Sequence, residues 1–219
     1  MDSGNFNYSG EWRDYFKGLS AHNVLVPVES VPIYWPITPE RLLWRKGEDW
    51  AIQVSKAALP GGRQWRRVVV YLDADDFILI DDADGEGPDL ELLFHFAPDT
   101  AVDWDGVICR VQADGAALDL LPAGDVDLDF IRGAEDPIQG WYAPAYGRKE
   151  PNSVARIRPS NGEYEFRTLL HAHRNDGVLG FSVFEEDGDV LRFLIQRDHE
   201  NEEVLVDLNS GLVDRHTRR

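Results

Sequence analysis

Four of the 6 histidines stand where their spacing could do chemistry. His22 lies at the mouth of an apolar run in SAHNVLVPV, residues 20 to 28, with Asn23 beside it. An imidazole titrates near pH 6.5 when unperturbed, so it can take or give a proton near neutrality. Taken alone, His22 fits either a strand-end group donating to a carbonyl or a proton-handling group of an active site. His171 and His173 are two apart, hence on one face of a strand, a spacing that could chelate zinc if a third ligand joined them. No third ligand is evident, and two ordinary strand histidines are the simpler reading. His95, set between Phe94 and Phe96, reads as a sheet residue. Arg13 and Lys17, just ahead of His22, could receive a carboxylate, which a guanidinium binds in a two-pronged fork. Trp141, Tyr142 and Tyr146 in GWYAPAYG could stack on sugar rings or be buried against other aromatics. Ser20 precedes His22 by two positions but has no acidic partner for a hydrolase triad. Cys109, the only cysteine, sits in a strand-like run and reads as a core thiol.

The elements that must position these groups are strands. Period-two alternation and β-branched or aromatic runs recur at spacings near ten residues, each stopped by Gly, Pro, Asp or Asn. They are VLVPV (24 to 28), WAIQVSKA (50 to 57), WRRVVVYL (65 to 72), FILIDD (77 to 82), LELLFHF (90 to 96) and GVICRVQ (106 to 112). DLDFIRG (127 to 133), VARIRP (154 to 159), YEFRTLLHAH (164 to 173), LGFSVFE (179 to 185), DVLRFLIQ (189 to 196) and EVLVDL (203 to 208) complete the set. Tight turns are expected at DADD, 73 to 76, and at EEDGDV, 185 to 190, where an Asp-Gly pair favours a hairpin. No helical stripe exceeds two turns. The pattern predicts an all-β chain, a large antiparallel β-sandwich of two curved sheets with little helix, formed by residues 1 to 219 as a single domain. The closing GLVDRHTRR is polar and is expected to fray.

Composition narrows the function classes. No apolar run approaches the roughly 20 residues of a membrane-spanning helix, so no membrane partner is expected. MDSGNFNYSG has neither the basic head nor the apolar core of a signal peptide. The net charge of -18 argues against nucleic acid, but it is unevenly spread. Residues 1 to 67 carry 9 Lys and Arg against 7 Asp and Glu, net +2, and the remainder carries -20. Arg13, Lys17, Arg41, Arg45, Lys46, Arg63, Arg66 and Arg67 could therefore present a local basic surface on an acidic protein. Only 4 of the 22 basic residues are lysine, which is compatible with adaptation to high salt or with a GC-rich genome.

Several segments, in order, resemble the C-terminal β-sandwich region of heparinase II/III-like polysaccharide lyases. DSGNFNYSGEWRDYFKGLSAHNVLV resembles that family's succession of aspartate-glycine, aromatic, arginine-phenylalanine and alanine-histidine-asparagine. WRRVVVYLDADDFILIDD resembles its paired strands ending in an aspartate, and LLFHFAPD, GWYAPAYGRKEPNSVARIR and TLLHAH resemble its later sheet motifs. The resemblance covers residues 2 to 175.

It implies a sandwich that borders a substrate cleft completed by an N-terminal helical toroid, which this chain is expected to lack. It implies eliminative cleavage of uronate polysaccharide, with a tyrosine and an asparagine or histidine on the toroid and a further histidine on the sandwich. His22 matches that last position and becomes the catalytic candidate. Asn23, Arg13, Lys17, Trp141 and Tyr146 become candidates for substrate binding. Some members hold a divalent metal through histidine and aspartate, one ligand being a histidine before paired arginines. Here GGRQWRRV puts Trp65 at that place, so metal ligands are not evident and none is assigned. The expected partners are an anionic polysaccharide and a helical toroid domain in cis or in trans, and lyases of this kind are commonly periplasmic, secreted or sometimes cytoplasmic. Without the toroid the chain should be nearly inactive, with unpaired aromatics near residues 6 to 16 and 141 to 146. The alternative is a non-catalytic carbohydrate-binding or structural module.

Overall fold

The computed structural model describes residues 3–28, 37–72, 75–174 and 177–218. One helix opens it, α1 (Glu11–Lys17), followed by a 3-10 turn at Leu19–Ala21. Acidic Glu11 and Asp14 lie in the first turn of α1 and Lys17 in its last, which suits the helix dipole. The strands follow as β1 (Leu25–Pro27), β2 (Glu40–Lys46), β3 (Trp50–Ala58), β4 (Gln64–Leu72), β5 (Asp76–Asp84), β6 (Leu90–His95) and β7 (Ala101–Trp104). Next come β8 (Cys109–Ala113), β9 (Ala116–Pro122), β10 (Val126–Arg132), β11 (Ala134–Glu135), β12 (Ile138–Gln139), β13 (Trp141–Ala145) and β14 (Arg148–Pro151). The last six are β15 (Ser153–Pro159), β16 (Glu165–His173), β17 (Gly180–Asp187), β18 (Val190–Gln196), β19 (Asn201–Asp207) and β20 (Leu212–Arg218).

The all-β antiparallel sandwich expected from the sequence is what forms, and the structure adds a layer to it. A central sheet of eight strands runs in the order β2-β3-β4-β5-β16-β9-β8-β7. A four-stranded sheet, β1-β6-β15-β10, and the C-terminal meander β17-β18-β19-β20 are separate from it. Alternation along the central strands shows where each packs. Ile52, Val54, Val68, Val70, Leu72, Ile78 and Ile80 share one core with Phe193, Ile195, Val204 and Val206 of the meander. Trp65, Leu79, Leu120 and Phe166 share another with Leu92, Phe94, Ala155 and Ile157 of the four-stranded sheet. Side chains of opposite parity leave a strand on opposite faces, so the central sheet is covered on both sides, and three layers stand where the sequence reading counted two.

A smaller cluster of Tyr15, Phe16, Ala21, Ile138 and Ala143 fixes α1 against the β13–β14 ribbon, with Trp12 and Trp141 packed on it. The hairpin expected at 185 to 190 forms, with Asp187 opposite Val190 and Gly188 at φ 59 as the residue that takes the left-handed turn. At the other expected turn, residues 73 and 74 lie outside the described residues. GLVDRHTRR does not fray up to Arg218. It supplies β20, paired with β19 from Leu212 opposite Asp207 to Arg218 opposite Asn201. Its alternation was hidden by polar residues facing solvent, while Val213 turns into the core at 3% exposure. No helix among the described residues is long and apolar enough to cross a membrane.

Candidate active site around His22

Gly18 ends α1, and the 3-10 turn after it delivers the chain to His22. His22 is extended, with φ -127 and ψ 164, and its N–H donates to the Leu19 carbonyl at 3.0 Å. Both sides of this short loop are clamped. On one side, the His95 backbone N–H donates to Asn23 Oδ1 at 2.7 Å, and the His95 ring lies 3.0 Å from the Ser20 carbonyl through Nε2 and 3.2 Å from Asn23 Oδ1 through Nδ1. On the other, Arg67 Nη1 donates to the Asn23 carbonyl at 2.6 Å.

Arg67 is itself held. Its Nε and Nη2 donate to Asp81 at 2.7 and 3.0 Å, the two-pronged geometry of a strong guanidinium–carboxylate pair. The indole Nε1 of Trp65 donates to the same Asp81 at 2.8 Å, and the guanidinium lies 4.9 Å from the Trp65 ring centroid. Antiparallel pairing of β4 with β5 sets this up, because Arg67 stands opposite Asp81. Burial lowers the His95 pKa to about 3, against the Ser20 carbonyl, which favours the charged ring. His95 is therefore neutral at ordinary pH and works as a strut, the sheet role expected for it, rather than as a charge.

A cavity of about 460 Å³ opens beside the clamped loop. Its lining takes Lys17 from α1 and His22 from the loop after it, Gln53, Ser55, Lys56 and Ala57 from β3, and Trp65 and Arg67 from β4. Leu19, Val24 and Ile37 make the rest largely apolar. A mostly apolar hollow with a few converging polar groups is the usual form of a ligand site. The structure thus brings together two of the sequence candidates, His22 and Lys17, and adds Arg67 and Trp65.

The other candidates lie elsewhere. The Asn23 side-chain oxygen is engaged by His95, and Asn23 does not line the cavity. Arg13 pairs with Asp14 at 2.9 Å and is likewise outside it. Trp141 stands edge-on to Trp12 at 5.4 Å and donates its indole N–H to the Ala134 carbonyl at 2.8 Å. The Lys149 ammonium rests 3.6 Å from the Trp141 ring centroid and 3.7 Å from that of Trp12, so this aromatic pair already holds a cation. Tyr146 is 63% exposed and packs against Tyr8, which is 70% exposed, with ring centroids 5.1 Å apart and planes tilted by 33°. Of the aromatics expected at the surface near 6 to 16 and 141 to 146, these two are the open ones, while Tyr15 and Phe16 are buried.

The metal position implied by the family resemblance can be tested on the donor set. Trp65 offers an indole N–H, which has no lone pair to give, and the buried Asp81 carboxylate is taken by Trp65 and Arg67. These residues do not fit a metal ion. His171 and His173 do share a strand face, and their rings stack at 5.2 Å with 12° between planes. Each turns to a different carboxylate. His171 Nδ1 lies 2.7 Å from Asp76, which also pairs with Arg197, and His173 Nε2 lies 3.2 Å from Asp119 but off the direction of a hydrogen bond. Among the described residues no group of three or more His, Cys, Asp or Glu converges on one point.

The model of a family described as Heparinase II/III-like, C-terminal, matches residues 1–170. Among solved structures, heparan sulfate lyase HepC from Pedobacter heparinus is similar over 94% of this chain and 34% of its own, with 18% identity and a TM-score of 0.77. A structure of heparinase III is similar over 99% of this chain and 33% of its own, at 14% identity and TM-score 0.71. The heparinase III BT4657 gene product is similar over 100% and 34%, at 15% identity and TM-score 0.70. The chain spans about a third of the length of these structures, and at such identities the likeness is one of fold. No curated protein matches.

Proposed function

Because the chain belongs to the heparinase II/III-like C-terminal family, matched over residues 1–170, we propose that it is the sandwich part of a lyase that cleaves uronic-acid-containing polysaccharide by β-elimination. The observation that carries this reading is the cavity lined together by His22, Lys17, Trp65 and Arg67.

The chemistry asks for little more than such a site and a facing half. A base removes the proton on the carbon next to the uronate carboxylate. Its bonding electrons form the new carbon–carbon double bond, and the glycosidic oxygen leaves with a proton from an acid. His22 is the proton-handling group of this half, on a loop held by His95 and Arg67 so that its ring is presented in one place. Lys17 receives the carboxylate, whose negative charge grows as the proton departs, while Arg67, its charge balanced by Asp81, holds the loop that carries His22. A helical domain, in cis or in trans, supplies the remaining acid or base and closes the cleft. Alone, this chain is expected to be nearly inactive, because positioned groups multiply one another's effect.

The test is to assemble the chain with a helical domain of the family, offer heparan sulfate and alginate, and follow the ultraviolet absorbance of the unsaturated uronate. Accumulating unsaturated product supports the lyase reading, and no product from either polymer counts against it. A second reading, a non-catalytic carbohydrate-binding module, is favoured by one observation, the saturation of Asp81 by Trp65 and Arg67. It requires tight oligosaccharide binding without product.

A further inference from the structure

We infer that the His22 cavity continues over the edge of the central sheet into a second anionic-sugar subsite built on Trp44, Arg41 and Lys46. The inference rests on the reading of the cavity as a site for a uronate polymer.

Strand β2 is the edge of the eight-stranded sheet and carries a bulge between Arg41 and Leu43. The bulge decides where Trp44 points. Arg41 pairs with Ser55, and unbroken pairing from there would set Trp44 opposite Ile52, on the face that packs against the meander. One extra residue shifts the register, and Trp44 pairs instead with Gln53. Gln53 and Ser55 line the cavity, and directly opposed residues share a sheet face. Trp44 and Arg41 therefore lie on the cavity's own face, one strand further out. Lys46, opposite Ala51, joins them. The inward face of the strand is used for packing, since Leu43 rests on the core, whereas Trp44 remains 55% exposed. Burying that indole is not what the bulge achieves.

Charge selects the occupant. Arg41 and Lys46 add to the charge of Lys17 in the cavity wall, whereas Lys56 is paired with Glu40 at 3.2 Å and Arg67 with Asp81. Residues 68 to 219 carry a net -20, so a polyanion is repelled from most of the molecule and tolerated along this face. An aromatic face beside a guanidinium suits one sugar ring, with its apolar CH face on Trp44 and its carboxylate or sulfate on Arg41. β2 is two interstrand spacings from β4, roughly 10 Å, so a polymer that enters the cavity with one residue reaches Trp44 with later ones.

The experiment is calorimetric titration of the whole chain and of Trp44→Ala and Arg41→Ala with tetrasaccharides and dodecasaccharides of heparan sulfate and of alginate. Both side chains are exposed, and circular dichroism confirms that the variants fold. The subsite requires the longer oligosaccharide to bind more tightly than the shorter, and each variant to weaken the longer by about tenfold while leaving the shorter unchanged. Length dependence that survives both substitutions overturns the subsite while leaving the cavity reading intact. Protein that binds neither length overturns the cavity reading and the subsite with it.

Discussion

Asp81 is buried with both oxygens engaged, one by Trp65 and Arg67 and the other by Arg67 alone. Removing it strands a guanidinium that is itself mostly buried and leaves the indole N–H without its acceptor. Asp81→Ala is expected to cost about 3 kcal/mol, read as a lower urea midpoint, and Asp81→Asn less, because one acceptor remains. His95 gives a pH signature. Its folded pKa of about 3 lies below the usual histidine value, so between that value and roughly 6.5 the unfolded chain binds the extra proton and the folded chain does not. Stability is thus full above about pH 6.5 and falls as acid carries the solution toward pH 3. His95→Gln, which does not titrate, is expected to show a smaller loss of urea midpoint between pH 7 and pH 5 than the parent protein; an equal loss contradicts the strut role. At this scale motif order pointed to His22, and nearness to it pointed to Lys17, and both line the cavity. The sequence hid what Asn23 does, because the group that takes its side chain, His95, lies 72 positions away. The Arg67–Asp81 pair was within reach, since hairpin register sets those two opposite one another.

Among the elements, the ribbon of β13 and β14 shows how narrowly α1 is placed. Gly140, at φ 78, sits where three backbone segments meet, and its carbonyl accepts from Gly133 and Asn152. A Cβ there would lie 2.9 Å from Arg132 Cα, Asn152 O and Gly133 N. Gly140→Ala is expected to lower stability by more than about 2 kcal/mol, combining a left-handed backbone with contacts that cannot yield, and calorimetric melting measures it. Strands with an inward apolar face, such as β4 and β18, were legible from alternation. Strands β2, β7, β9, β11, β12, β13, β14 and β20 were not. β2 is an exposed edge whose bulge breaks the period, and β13 and β14 form a short ribbon that buries little.

Over the whole molecule, the meander shares one hydrophobic core with the central sheet. Phe193 is fully buried between β18 and the central sheet and stacks on Phe181 at 5.4 Å. Phe193→Ala is expected to cost about 3 to 5 kcal/mol, and the urea transition should stay single whether followed by tryptophan fluorescence or by far-ultraviolet dichroism. Separate transitions would show the meander to be an independent unit. The class of fold was legible because strand periodicity is local. The third layer was not, because which sheet a strand joins depends on contacts between distant segments. The measurement that bears most directly on the central claim is the turnover of His22→Ala, assembled with a helical domain, on a uronate polymer that the parent assembly cleaves. Loss of about 100-fold or more in kcat, with the Kd for oligosaccharide little changed, is the expected result for a proton-handling group. Turnover equal to that of the parent assembly would remove His22 from the chemistry and leave the cavity as a binding site only.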